Sequence, residues 1–284
     1  MGSLERISLL LSIINIALSI TLFIIDYFIP RRFIEIDNKD ESKASEIKKT
    51  GLHVAATIMT GLSILCLTLV IISRVIQTGH GPFSNMYEFS VSFTWGIVVS
   101  GYIFYLRYKA SSILNIALFI ALLLIIFAKV QYSPPSSLVP ALQQSALLSA
   151  HVASAVVAYG TLTIGFVAAI LYLIKNRYGS SWLPNLETLD NITYKSVIIG
   201  FPFLTLLIVL GALWADIAWG RYWGWDPKET ASLVTWLIYA AYMHVKIVGG
   251  WKGARASVLL IIGFLAILFT FFGNYIFSGL HAYG

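Results

Sequence analysis

The chain has 284 residues, of which 58% are hydrophobic and 11% charged. A soluble domain carries roughly 25% charged residues, so this composition excludes a soluble globular enzyme and a disordered chain. Its mild net charge of +6, from 19 Lys and Arg against 13 Asp and Glu, argues against nucleic-acid binding. The single cysteine, Cys66, forms neither an internal disulfide nor a thiolate metal site.

Eight stretches of the chain have the length and composition of a membrane-spanning helix, which needs about 20 mainly apolar residues. They predict an all-α integral membrane protein, a polytopic bundle of about eight transmembrane helices, at residues 7–29, 52–75, 89–107, 111–131, 146–174, 193–217, 229–248 and 256–280. The first stretch is expected to be a retained helix. We predict one membrane domain over residues 1–284, with a two-helix region at 1–78 and a core at 79–284.

The loops between these stretches differ in basic residues. Fourteen of the 19 Lys and Arg fall in one alternating set of loops and five in the other. Cytoplasmic loops carry the excess of Lys and Arg. Both termini and the loops near residues 76–88, 132–147 and 217–228 are therefore predicted to lie on the external side.

Three histidines fall where chemistry is expected. His151 opens the fifth stretch and His281 follows the eighth, both on the predicted external side. His244 lies about 22 Å along the seventh stretch, within the membrane. An ionisable residue there indicates a functional site, although a hydrogen bond to a neighbouring helix is an alternative. Neutral imidazole is an axial ligand of haem iron, and two imidazoles across an aromatic slot would suit a porphyrin.

The loop between the sixth and seventh stretches has four large aromatic residues within seven positions: Trp219, Tyr222, Trp223 and Trp225. An aromatic belt at the membrane interface is one explanation. The density of rings, together with Gly220 and Gly224, instead favours close approach to a ligand.

The end of this loop has the pattern of a helix start. Asp226, Pro227 and Glu229 fit an N-cap, a first helical proline and a capping-box acid, which does not exclude a second role for Asp226. Arg221 and Lys228 could pair with carboxylates of a ligand or with lipid headgroups, and the sequence favours neither.

No catalytic residue is predicted. The chain has no HExxH motif, no phosphate-binding glycine loop and no recognisable Ser/His/Asp arrangement. A proton or ion transporter normally carries carboxylates at mid-membrane, and the centres of the first five stretches and of the eighth have none.

The stretch WGRYWGWDPKETASLVTW at 219–236 resembles the tryptophan-rich WWD signature of haem-handling proteins of cytochrome c biogenesis. It is most similar to the CcsA (ResC) family of the system II pathway. Four further segments resemble motifs of this superfamily in the expected order: PFSNMYEF, LLSAHVASAVVAYG, WLIYAAYMHVKIVGGWKG and FFGNYIFSGLHAY. The resemblance covers most of residues 79–284, while the first two stretches match nothing sharply.

The resemblance implies that haem b, as substrate and ligand, moves from the cytoplasmic side to an external site. That site is implied to consist of the axial ligands His151 and His281 and of a loop surface at 217–229 with Trp219, Tyr222, Trp223, Trp225 and Asp226. There two thioethers would form to the CxxCH motif of an apocytochrome c.

The same resemblance implies that His244 is a haem ligand within the membrane, with its counterpart on a CcsB (ResB) type membrane subunit. The chain would then be part of a holocytochrome c synthase complex. Its membrane would be the cell membrane, with the haem site on the external or periplasmic face, or the thylakoid membrane in a plastid or cyanobacterium.

Two other functions fit the sequence. One is a haem-delivery subunit without ligation activity, and the other is a non-haem membrane transporter or scaffold. His53 could bind haem near the cytoplasmic face, and His80 is interpreted as a loop residue.

Overall fold

The computed structural model describes residues 2–29, 50–81, 83–136 and 145–273, and in these ranges the chain forms eight α-helices. They are α1 (Ser3–Phe28), α2 (Gly51–Thr78), α3 (Met86–Tyr108), α4 (Ser111–Val130), α5 (Ser145–Tyr178), α6 (Leu186–Trp219), α7 (Pro227–Ile247) and α8 (Ala254–Phe272). All except α7 are long and apolar enough to span a membrane. The predicted polytopic all-α membrane bundle is confirmed.

The ends of the helices follow local capping chemistry. The Asn85 side chain accepts a hydrogen bond from the Glu88 N–H at the start of α3. Asp226 caps α7 with a complete capping box, which confirms the predicted cap. Helix α6 begins several residues before its predicted start, because Asn185 caps a polar first turn that a hydropathy window leaves out.

Helix α5 occupies the centre of the bundle and packs against α3, α4, α6 and α8. It meets α3 at two glycines, where a Cβ atom on Gly160 would lie 2.6 Å from the carbonyl carbon of Gly96. The two backbones are therefore in direct contact, as small residues permit between membrane helices.

A buried ionic network joins α1, α2 and α3 at one end of the bundle. Arg74 is 1% exposed, and its Nε donates to Glu88 Oε1 at 2.8 Å. Its Nη1 lies 3.5 Å from Glu5 Oε1, which also accepts from the Tyr87 hydroxyl at 2.8 Å. Because buried charges must be paired, this network fixes the N-terminal helices to the core.

Successive helices alternate in direction, so one end of the bundle collects the starts of α3, α5 and α7 and the ends of α6 and α8. Arg107 and Lys175 lie in the last turns of α3 and α5, at the opposite end. This arrangement agrees with the two sets of loops defined by the basic residues. Which end faces outward stays a prediction.

Candidate functional site

A cavity opens at the end of the bundle where α3, α5 and α7 begin and where α6 and α8 end. Its empty volume, including the space open to solvent at the mouth, is about 1140 Å³. Its aromatic walls include Phe83, Phe89, Phe93, Tyr159, Tyr222 and Trp223, and its polar groups include His151, Lys228 and Glu229. An apolar cavity with a few convergent polar groups is the usual form of a small-molecule site.

His151, in the second turn of α5, contributes an imidazole to the wall of this cavity. Its Nδ1 lies 2.8 Å from the carbonyl oxygen of Leu207 on α6. A carbonyl can only accept, so Nδ1 carries the hydrogen and Nε2 of the neutral ring keeps its lone pair. Within the described ranges, Nε2 has no hydrogen-bond partner. A backbone bond on one nitrogen is how proteins orient a histidine whose other nitrogen binds a metal.

Gly211 on α6 makes room for this imidazole. A Cβ atom at position 211 would lie 2.8 Å from Cε1 of His151 and 3.0 Å from Nδ1. The ring therefore rests against the backbone of α6, and any larger residue at position 211 would displace it.

The aromatic loop contributes unequally to the cavity. Tyr222 and Trp223 line it. Trp219 packs edge-on against Trp214, with ring centroids 4.8 Å apart. Trp225 is 69% exposed and stands at 88° to the Trp223 ring. The structure thus brings two of the four predicted aromatics together with His151, while Trp219 and Trp225 are not among the described residues that line the cavity.

The backbone of the loop is held by the first turn of α7. Trp225 has φ 57°, a left-handed conformation that is uncommon for a residue with a side chain. The Glu229 carboxylate accepts hydrogen bonds from the backbone N–H groups of the two residues that flank Trp225, from Gly224 at 2.8 Å and from Asp226 at 3.2 Å. Asp226 is buried, and its side chain accepts from the Lys228 N–H at 2.9 Å.

The other two predicted iron ligands, His244 and His281, are not among the described residues that line the cavity. His244 is in the last turn of α7, at the opposite end of the bundle, and is exposed on the bundle surface. His281 lies outside the described residues. Thr270 and Phe271, near the end of α8, line the cavity.

The remaining two histidines both have hydrogen-bond partners. His53 bonds through Nδ1 to Asp26 Oδ2 at 3.1 Å and through Nε2 to the Tyr105 hydroxyl at 2.7 Å. His80 is 8% exposed and bonds to the carbonyls of Gly81 and Ser136. Both nitrogens of His53 are engaged, which favours a structural role that joins α1, α2 and α3.

Sequence reasoning did not identify the wall that α3 and the inner part of α5 contribute. Phe89, Phe93 and Tyr159 line the cavity, but one aromatic residue in an apolar helix looks like another. The one available signal was the position of Phe83 and Phe89 within PFSNMYEF, which resembles a family motif.

The fold and the site together define a multi-pass helical membrane protein with an aromatic, histidine-containing cavity at one end of its bundle. Among the described residues, no group of three or more His, Cys, Asp or Glu side chains is placed so that it could hold a metal ion. Haem iron is already held by the porphyrin and needs only one or two axial ligands from the protein. His151, the imidazole that lines the cavity, could therefore serve the iron of a porphyrin.

Comparison with known proteins gives a consistent family. The profile of the family described as "Cytochrome C assembly protein" matches residues 83–281. The chain is 36% identical over 255 residues to "Cytochrome c biogenesis protein CcsA" of Guillardia theta, which covers 79% of this chain and 84% of that protein. It is 34% identical over 284 residues to the protein of the same name from Prochlorococcus marinus (strain MIT 9312), over 89% of this chain and 91% of that one.

Among solved structures, the fold is similar to "Cytochrome c Heme Lyase CcmF", with a TM-score of 0.62 and 18% identity. The match covers 95% of this chain and 46% of the other, so the chain spans slightly less than half of that protein. On the profile match and these relatives, the chain belongs to the cytochrome c assembly protein family, in its CcsA branch.

Proposed function

We propose that this chain is the haem-handling membrane subunit of a cytochrome c synthase, which takes haem b to the cavity and presents it to an apocytochrome c. The observation that carries the proposal is His151, which lines an aromatic cavity: the Leu207 carbonyl fixes its Nδ1, and its Nε2 has no hydrogen-bond partner among the described residues. Family membership supports the same chemistry, because the relatives are named for cytochrome c biogenesis.

His281 is proposed as the second axial ligand. Helix α8 delivers Thr270 and Phe271 to the cavity wall, and His281 follows ten positions after Phe271 in the sequence. A chain that reaches the cavity at residue 271 can return a side chain to it within that length. Ligation by two imidazoles would hold the iron without help from solvent.

The aromatic loop is proposed to orient the porphyrin. Tyr222 and Trp223 supply the cavity wall, with Trp219, Trp225 and Asp226 as the supporting part of the same loop surface. Each thioether forms when a cysteine S–H of the CxxCH motif adds across a vinyl C=C bond, so this step needs neither an oxidant nor a reductant. The contribution of the chain is to hold the reacting groups together in a site that excludes water.

His244 is proposed as a haem ligand in the membrane, shared with a CcsB-type subunit. Ionisable residues in membrane segments normally face a bundle interior or a partner, yet His244 is exposed on this chain. A partner helix over this part of α7 would enclose it. The cavity is proposed to face the exterior of the cell membrane or the thylakoid lumen, in keeping with the surplus of basic residues at the opposite end.

The test is the absorption spectrum of the full chain purified with its CcsB-type partner. The wild type is expected to show a Soret band, and His151→Ala is expected to lose the part of this band that comes from haem bound in the cavity. Imidazole added to the buffer should restore the band by replacing the missing ligand. His244→Ala is the matched control, since it should remove haem at the other end while the cavity still loads.

Co-expression with a CxxCH substrate separates the remaining alternatives. Covalent haem on the substrate supports a synthase subunit. Bound haem without covalent product indicates a delivery subunit. Absence of a Soret band in the wild type, with no effect of His151→Ala, would show that the aromatic loop is only an interface belt.

A further inference from the structure

Lys228, the second residue of α7, contributes the cationic side chain of the cavity. Of the described residues that line the cavity, it is the only lysine or arginine. Its ammonium group lies 5.8 Å from the centre of the Phe89 ring, across the cavity on α3. The charge is therefore held over an aromatic wall of the site and not on the outer surface of the bundle.

The carboxylates nearest in sequence to Lys228 already hold backbone groups. Glu229 Oε2 accepts from two N–H groups of the aromatic loop, and Asp226 Oδ1 accepts from the backbone N–H of Lys228 itself. In the part of the chain that the structure describes, no ion pair within 4 Å involves the Lys228 ammonium group, although the charge of the Asp226 carboxylate acts on it from farther away. A charge in a largely apolar cavity costs free energy unless an opposite charge accompanies it.

We infer that Lys228 is the carboxylate-binding point of the cavity: the ligand presents a carboxylate to its Nζ while the flat ring lies along the aromatic wall and the iron meets His151. This inference rests on the proposed function and deepens it, because the two propionates of haem are such carboxylates. One ionic contact at the edge of the ring and one imidazole at its centre would fix which edge of the porphyrin faces the mouth.

The other cation of the loop has different surroundings. Arg221 is exposed, and its guanidinium packs against Gly224, where a Cβ atom would lie 2.8 Å from Nε. Arg221 does not line the cavity. Of the two residues that the sequence left equivalent, Arg221 suits solvent or lipid headgroups, and Lys228 suits a ligand inside the cavity.

The experiment compares binding of haem and of haem dimethyl ester, which lacks both carboxylate charges, to the full chain with its partner. The variants are Lys228→Met, which removes the charge but keeps most of the length of the side chain, Lys228→Arg, which keeps the charge, and Arg221→Met as the matched control. The wild type is expected to prefer haem over the ester by about tenfold or more, the usual worth of a hydrogen bond to a charged group. Lys228→Met should remove this preference by weakening haem alone, while the other two variants retain it.

Three results would overturn the inference while the proposed function stands: equal affinity of the wild type for haem and ester, an unchanged preference in Lys228→Met, or loss of the preference in Arg221→Met. Equal weakening of both ligands by Lys228→Met would assign the side chain a packing role and would also contradict the inference. The wild-type comparison needs no variant to fold. Failure of the wild type to bind either porphyrin would instead contradict the proposed function itself.

Discussion

The imidazole of His151 is confined by two groups of α6, the Leu207 carbonyl that accepts its Nδ1 hydrogen and the bare Cα of Gly211. We predict that Gly211→Ala pushes the ring off the helix, because the added methyl carbon would stand 2.8 Å from Cε1. Haem affinity at the cavity should fall by about tenfold or more, measured by titration of the Soret band.

Gly61→Ala in the middle of α2 is the control for this substitution. A Cβ atom there would come no closer than 4.0 Å to another side chain, the Tyr102 hydroxyl. Alanine in a helix interior should stabilise α2 by about 1 kcal/mol and leave haem binding unchanged. If Gly211→Ala binds haem as the wild type does, His151 is not held as described.

The sequence indicated which kinds of residues form the site, but not the directions in which their side chains point. The density of rings identified the loop, yet only the left-handed backbone at Trp225 turns its side chain to solvent while Trp223 faces the cavity. Arg221 and Lys228 differ for the same reason. Arg221 lies in the irregular loop and Lys228 in the first turn of α7, so no helical periodicity in the sequence relates the directions of their side chains.

Among the elements, the start of α7 and the aromatic loop behave as one unit through Glu229. We predict that Glu229→Ala releases the N–H groups of Gly224 and Asp226 and lets Trp225 leave its left-handed conformation. The lost cap should cost about 0.5–2 kcal/mol of stability. Haem binding should also weaken, because Tyr222 and Trp223 lose their fixed positions. Thermal unfolding and haem titration measure the two effects.

Glu187→Ala is the matched control, since Glu187 is an exposed acid in the first turn of α6. It should change neither measurement appreciably. A Glu229→Ala protein with normal haem affinity would show that the loop keeps its shape without the carboxylate.

Helices α1, α2 and α3 depend on Arg74 in a different way. Arg74→Met would leave Glu5 and Glu88 buried without their cation, and removal of one partner from a buried ion pair costs about 3–5 kcal/mol. We expect a large fall in the thermal stability of the detergent-solubilised protein. Adding Glu88→Gln should recover part of the loss, and if it adds to the damage instead, the two side chains are not coupled.

The existence of the helices could be predicted because a membrane helix is long and apolar, but their contacts could not. In a soluble protein a polar face shows which side of a helix points outward. In this protein both sides of a helix are apolar, and residues such as Phe119 and Leu123 are exposed on the bundle surface although they are as apolar as the buried residues next to them. The cavity wall on α3 and the glycine contact with α5 were invisible for that reason.

For the molecule as a whole, the distribution of basic residues gives a prediction of sidedness. Tyr222, 57% exposed, and Tyr178, 76% exposed, stand at opposite ends of the bundle. With Cys66→Ala as the background, Tyr222→Cys should react with a membrane-impermeant maleimide in intact cells, and Tyr178→Cys only after permeabilisation. The reverse pattern would place the cavity in the cytoplasm and contradict the positive-inside assignment.

The contact between Gly96 and Gly160 has a mechanical consequence. Gly160 follows His151 by nine residues, or about 13 Å along α5, and Phe93 lies one turn from Gly96 on the facing helix. Where two backbones touch, the helices cannot come closer, so any tilt of α3 against α5 would have to pivot at this crossing. A tilt of α3 about it would change the distance between the Phe89 wall and His151 more than any distance near the crossing, and it would also have to move the buried Arg74–Glu88 pair in the first turn of α3.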